Sequence, residues 1–440
     1  MARLGLTSSS HNVNLWIVPL KMSLVAILLF AFTITLDTLA AYHTIHIPNW
    51  FTMGGIDDAR AILSAMLGCV STVLALIFSV ALLVLSMVAN LFGPRLLYRF
   101  VQDWVTQVCI GLFMGAFIYV FLVFLVTHKD EHTEFIPQVS LITSWFLVLG
   151  AFGFLVFYSH RVAMLIQNPD AIGRIVNDLR RASERAAAEG AGGSRPQALD
   201  AGAMQGHLSD HLNDKATVLS HASGYLQMVD HQALIAGAAQ AGASISVLFR
   251  PGQFVLEGEP LAVVSPAAAL PSLAPLLVRS IAMGHHRVLA QDLEFGIAQI
   301  VEIAIRALSP AINDTFTGIA CVDLLGESLT ILADTPQPTG LWFDGEGKLR
   351  LQVRPVLLAR LVKQAFDQIR QAAADNPAVL IRLLATLGRL APMLHQAEDR
   401  KALAEQAAAV WETANTRPLV KMDLDDIEAA WHRTRIVLGL

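Results

Sequence analysis

Residues 289–326, "LAQDLEFGIAQIVEIAIRALSPAINDTFTGIACVDLLG", place acids, amides and an arginine inside an otherwise apolar run. The spacing predicts a helix ending near Leu308, because Ile297, Ile300, Val301, Ala304 and Leu308 recur at helical intervals, with Glu302 and Arg306 one turn apart and able to pair. Pro310 disfavours helical geometry at Ser309, and Asn313 or Asp314 can cap a second helix from Thr315. A run with this much polar punctuation reads as the interior of a water-facing domain.

The rest of the chain is more apolar. Of 440 residues, 54% are hydrophobic and 15% charged, where a soluble protein carries about a quarter charged. Four segments, about 22–40, 62–89, 105–126 and 139–158, are long enough to cross a hydrocarbon core that takes about 20 helical residues. Arg3, Lys21, Arg95, Arg99 and the arginines from Arg161 to Arg185 fall on one side of these spans. The positive-inside rule then puts both termini in the cytoplasm. A net charge of −5 with no long Lys/Arg run speaks against nucleic acid as a partner.

Within the spans, Ser64, Gly68, Ser71, Ala75 and Ser79 fall on one face of the second, and Gln107, Gly111 and Gly115 on one face of the third. Such seams let helices pack closely in lipid. They also leave room for water and inorganic ions if several subunits turn them toward a shared axis. Asp37 is an acid inside the first span, where it needs a partner, a cavity or the interface. With Asp57, Asp58, Asp130, Glu131 and Glu134 it forms a candidate acidic rim that concentrates cations. His43 and His46 stand in the same loops, and His128 and His132 would share a face if their helix continued, a spacing open to metal.

A stretch of small residues with Gly and Pro, 186–203, reads as a flexible linker after a basic amphipathic helix. The expected organisation is a transmembrane domain over 1–160, a helix and linker over 161–203 and a cytoplasmic domain over 204–440. Within the last, "GYLQMV" and "SISVLFR" read as strands, with a helix between them that Asp230 can cap. "PGQFVLEGEPL" resembles the turn of a biotinyl or lipoyl-type sandwich, placed over 204–267. No lysine occurs between Lys215 and Lys348, so the acceptor of a swinging arm is missing and the segment reads as structural. Signature helices follow over 275–335, a hairpin around Asp344 and Gly345 over 341–353, and amphipathic helices over 355–440. His285, His286, Asp292, Glu294, Glu302, Arg306, Asn313 and Asp314 make up the candidate cytoplasmic site. His285, His286, Asp292, Glu294 and Asp314 could converge on one ligand or metal, although no catalytic or metal motif has recognisable spacing.

"FGPRLLYRFVQDWVTQVCIGLFMGAFIYVFLVF", "SGYLQ", "PGQFVLEGEPL" and the 291–326 stretch resemble the bacterial membrane-protein family known as domain of unknown function 2254. The turn departs from the family pattern, with Ala311 and Thr315 where glycine and proline are expected. The resemblance implies a bacterial inner-membrane protein with a cytoplasmic C-terminal region and brings no activity. The fold class expected is therefore an α-helical integral membrane domain of four transmembrane helices plus a cytoplasmic mixed α/β domain with a small β-sandwich-like segment and a helical bundle. The first functional expectation is a homo-oligomeric ion channel or channel-like permeation protein, without cofactor or catalytic residues. A membrane-anchored sensor or scaffold binding a small ligand or protein is the alternative, and a membrane enzyme the third.

Overall fold

The computed structural model describes residues 16–42, 55–92, 104–130, 133–167, 170–191, 214–336 and 339–440. It divides into two compact units, Met1–Asn168 and Pro169–Leu440. Each is described by itself.

The first unit holds α1 (Ile17–Tyr42), α2 (Ile56–Phe92), α3 (Trp104–Val126), a hairpin of β1 (His128–Asp130) and β2 (Thr133–Phe135), and α4 (Gln138–Gln167). α3 is the hub and packs against α1, α2 and α4. Its Cys109, Phe113 and Ala116 meet Val70 and Ile77 of α2 and Ala151 of α4 in one cluster, where Phe113 and Phe152 sit edge to face at 5.6 Å. Outward-facing Leu20, Leu24, Leu28 and Phe32 of α1 and Phe146, Leu149 and Val156 of α4 are exposed. An apolar exterior over an apolar core is what a helix set needs in lipid.

The second unit opens with α5 (Asp170–Ala191). The expected organisation gave 161–203 to a basic helix and linker and started the cytoplasmic domain near Met204; α5 is a helix within that stretch. α5 buries Ile175, Val176, Leu179 and Ala182 against the helices of the second unit, and that apolar stripe supplies the packing a linker lacks. Residues 192–213, which include most of the expected linker, lie outside the described residues.

Eight strands and two helices then build two sheets: β3 (Ala216–Leu219), β4 (Gly224–Val229), α6 (His231–Gln240), β5 (Ser244–Val247), β6 (Phe254–Val255), β7 (Pro260–Ser265), α7 (Leu270–Ser280), β8 (Ile281–Gly284) and, after a long excursion, the hairpin of β9 (Leu341–Phe343) and β10 (Leu349–Val353). The five-stranded sheet runs β3-β7-β5-β10-β9 and the three-stranded one β6-β4-β8. Alternating burial in "SISV" sends Ile245 and Val247 into a core with Leu226, Val255, Ala262, Val264 and Leu351. Asp230 caps α6 by accepting from Ala233 N at 3.0 Å, as its position predicts. Two features escaped the sequence reading. β8 lies inside the stretch assigned wholly to signature helices, and β10 pairs parallel with β5, Leu351 opposite Ile245, so the hairpin belongs to the larger sheet.

The helical layer comprises α8 (Leu293–Ala307), α9 (Thr315–Asp334), α10 (Leu358–Ala372), α11 (Pro377–Leu390), α12 (Ala397–Asn415) and α13 (Lys421–Leu438). Among the described residues, five helices are long and apolar enough to cross a membrane: α1 to α4 and also α9. α9 lies packed among α5, α8, α10 and α11, with Cys321, Val322, Leu325, Leu329 and Leu332 fully buried. Helices on several sides account for its apolar character.

Candidate functional site

The residues of the two seams part company. On α2, the residues that face the α3 side, Leu63, Val70 and Ile77, are buried, while Ser64, Gly68, Ser71, Ala75 and Ser79 are all exposed. No atom outside the helix's own backbone would come within 4 Å of a Cβ at Gly68. On α3, Gln107, Gly111 and Gly115 are buried. A Cβ at Gly111 would stand 2.6 Å from Met22 Sδ and 3.2 Å from Pro19 Cα, and one at Gly115 would stand 3.4 Å from Met22 O. Within the protomer the α3 glycines are therefore the seat of α1, the close packing that such a seam allows.

The acidic rim also divides. Asp37 is buried and accepts from Val139 N at 2.8 Å, Ser140 N at 3.0 Å and Ser140 Oγ at 2.6 Å, so an acid on α1 caps the start of α4. Thr33 and Tyr119 share a hydrogen bond of 2.7 Å between α1 and α3. Asp57 and Asp58 are exposed in the first turn of α2, where negative charge suits the helix dipole, and Asp58 accepts from Gly55 N at 3.1 Å. Asp130 and Glu134 stand on the β1–β2 hairpin, with Lys129 opposite Glu134. The helix ends at Val126 and His128 begins a strand, so the helix does not continue through His128. Glu131, His132, His43 and His46 lie outside the described residues.

In the second unit the signature acids separate into distinct tasks. Asp292 caps α8, accepting from Phe295 N at 3.1 Å, and binds Arg287 through both oxygens at 2.7 and 2.9 Å. Burial is the largest influence on Asp292 and pushes its pKa up, against the pull of Arg287 and the Phe295 N–H. Gly252, at φ +90°, sits directly on this carboxylate, and a Cβ there would fall 2.1 Å from Asp292 Oδ2. Glu294 receives Arg250 at 2.8 and 3.0 Å and Arg360 at 2.6 Å. The Arg287 guanidinium lies 5.4 Å from the centre of the Phe295 ring. These pairs tie the sheets (Arg250, Gly252, Arg287) to the helical layer (Asp292, Glu294, Arg360).

The remaining candidates do other work. Glu302 and Arg306 pair at 3.6 Å, as their spacing predicts. Asn313 adopts the left-handed conformation at φ 50°, and Asp314 caps α9, accepting from Thr317 N at 3.0 Å and Thr317 Oγ1 at 2.6 Å. These two bonds from Thr317 hold the Asp314 carboxyl below the usual range. His285 and His286 are exposed. Convergence of these side chains on one ligand is not what their contacts describe. Among the described residues no three His, Cys, Asp or Glu side chains are grouped to hold a metal ion. The sequence reading missed Arg250, Gly252, Arg287 and Arg360. The Pro251-Gly252 turn was visible as a turn, but its carboxylate partner lies forty residues on.

A set of apolar helices followed by a mixed α/β unit defines a membrane protein. The chain belongs to the DUF2254 family, described as predicted membrane protein, whose model matches residues 12–389. It is similar to "Uncharacterized protein Rv1290c" of Mycobacterium tuberculosis (strain ATCC 25618 / H37Rv) and "Uncharacterized protein Mb1321c" of Mycobacterium bovis, each 28% identical over 367 residues, which span 80% of this chain and 67% of the relative. No solved structure matches.

Proposed function

We propose that the protein is a homo-oligomeric, multi-pass protein of the bacterial inner membrane that forms a channel or channel-like path for inorganic ions. α1 to α4 are its four spans, both termini are cytoplasmic, and the second unit assembles or gates the spans, with its two sheets serving as a sandwich-like structural module. The reading assigns no catalytic step and no cofactor. One observation carries it: the Ser64, Gly68, Ser71, Ala75 and Ser79 stripe is turned away from the protomer's own core. Small and hydroxyl side chains on the outside of a membrane helix favour another helix or water over lipid.

Planar-bilayer recording of the purified protein tests this with Gly68→Leu and Ser71→Leu. Both positions are exposed and Gly68 has open space, so the protomer tolerates the added bulk. Unitary currents that the substitutions reduce support the path; currents they leave unchanged remove the stripe from it. Silence from folded protein over a wide range of voltage, tension and pH favours the second reading, a membrane-anchored sensor or scaffold. What supports that reading is Phe316, 85% exposed beside Ile312 at the start of α9, an apolar tip suited to a partner.

A further inference from the structure

α13 packs on α11 and α12 through Ile427, Ala430, Thr434 and Leu438. Its opposite face is open and has a symmetrical chemistry. Along that face run Met422, the acids Asp425 and Asp426, Ala429, then His432 and Arg433, then Ile436, all exposed, with Met422 at 71% and Ile436 at 79%. Asp425, Asp426 and Arg433 make no ion pair within the protomer among the described residues, while His432 reaches Glu428 at 3.6 Å. The order is apolar, acidic, small, basic, apolar, and it reads the same when reversed with the charges exchanged.

We propose that this face is a homotypic docking surface, on which a second copy of the chain lays its own α13 antiparallel, with the two-fold axis passing at Ala429. Heights along a helix rise by about 1.5 Å per residue, so residues equally far before and after Ala429 meet at one level across such an axis. Met422 then meets the partner's Ile436. On the flanks, 3.6 residues per turn set Asp426 beside the partner's Arg433 and Asp425 beside the partner's His432. Ala429 meets its own copy, and its small side chain admits close approach of the backbones. An isologous contact of this kind is the commonest route to a closed assembly. Charge complementarity selects the second copy over an unrelated partner, because a parallel or shifted pairing would set acid against acid. The surface belongs to the second unit and does not depend on whether the protein conducts.

Symmetric cysteine cross-linking of the full-length protein tests it, in a Cys69→Ala background where Cys109 and Cys321 remain buried. Ala429→Cys lies on the axis and should form a disulfide-linked dimer under mild oxidant, whereas Asp423→Cys, off the face, should not. Adding Asp426→Arg or Arg433→Asp alone should slow the Ala429→Cys dimer by about tenfold, and the exchanged pair Asp426→Arg with Arg433→Asp should restore it. Restoration by the exchange separates a broken interface from a misfolded helix. Equal cross-linking at positions 423 and 429, no dimer at 429, or a rate indifferent to both reversals would overturn the proposal. Since the readout is a covalent dimer through α13, a negative result here leaves the α2 path to be judged by its own currents.

Discussion

Arg250 grips Glu294 through both carboxylate oxygens, at 2.8 and 3.0 Å, and both side chains are almost wholly buried. Arg360 joins the same carboxylate from α10 at 2.6 Å but remains 61% exposed. Removing one partner of a buried pair leaves the other charge uncompensated. Glu294→Gln should therefore destabilise the second unit by about 3 kcal/mol, while Arg360→Ala should cost under about 1 kcal/mol because water screens that arm. Denaturant unfolding of the detergent-solubilised protein, followed by Trp342 and Trp411 fluorescence, measures both. Equal effects would mean that burial does not divide the two bonds as described.

Gly252 makes a sharper case. A methyl group at this position meets the Asp292 carboxylate at 2.1 Å and is forced into a left-handed backbone. Gly252→Ala should cost about 2–4 kcal/mol, since backbone strain and overpacking act together. Gly258, also at positive φ but with open space around it, should lose only the conformational part, about 1 kcal/mol, in Gly258→Ala. Parallel denaturation curves give the comparison, and a Gly258→Ala loss as large as that of Gly252→Ala would refute the packing on Asp292.

In the first unit, Asp37 holds the start of α4 by three bonds. Asp37→Ala should lower stability by about 1–2 kcal/mol, and Asp37→Asn should recover part of it through the remaining carbonyl oxygen. Thermal unfolding in detergent reads the order parent, Asn, Ala. An alanine variant as stable as the parent would show that the cap carries no weight in the fold.

The Asp314 cap yields a pH signature. Its folded pKa is depressed, chiefly by the side-chain and backbone bonds from Thr317. A depressed carboxyl contributes stability above its unfolded value of about 3.9 and loses it as the pH falls through the folded pKa. Thr317→Val removes the hydroxyl bond and brings the folded value back toward the unfolded one. The variant's stability should fall less steeply than the parent's below about pH 4. Denaturant midpoints across pH 2.5–6 check this; identical slopes would dissociate Thr317 from the carboxyl.

Much of this was legible in the sequence because it is local. The caps at Asp230 and Asp314, the break before Pro310, the hairpin near Asp344 and the amphipathic helices from 355 onward all depend on neighbours within a turn or two, and all stand where spacing put them. What escaped depends on partners far along the chain. Nothing near Glu294 announces Arg250 or Arg360, nothing near Gly111 announces Met22, and the parallel pairing of β10 with β5 has no signal in either strand. α5 was legible as a basic amphipathic helix, but nothing in its own residues names α8 and α9 as the helices it packs against.

That parallel pairing has a consequence for how the chain is made. β10 reaches the larger sheet only after α8 and α9 have been threaded between it and β5. During synthesis β5 waits with an unsatisfied edge until Leu349–Val353 has left the ribosome, and contacts this distant in sequence are slow to close. The nascent sheet thus stays incomplete until both helices and the hairpin have emerged. A chain terminated between α9 and β10 would keep that edge open permanently, so premature stops between residues 335 and 349 are expected to yield aggregates rather than a shortened, folded unit.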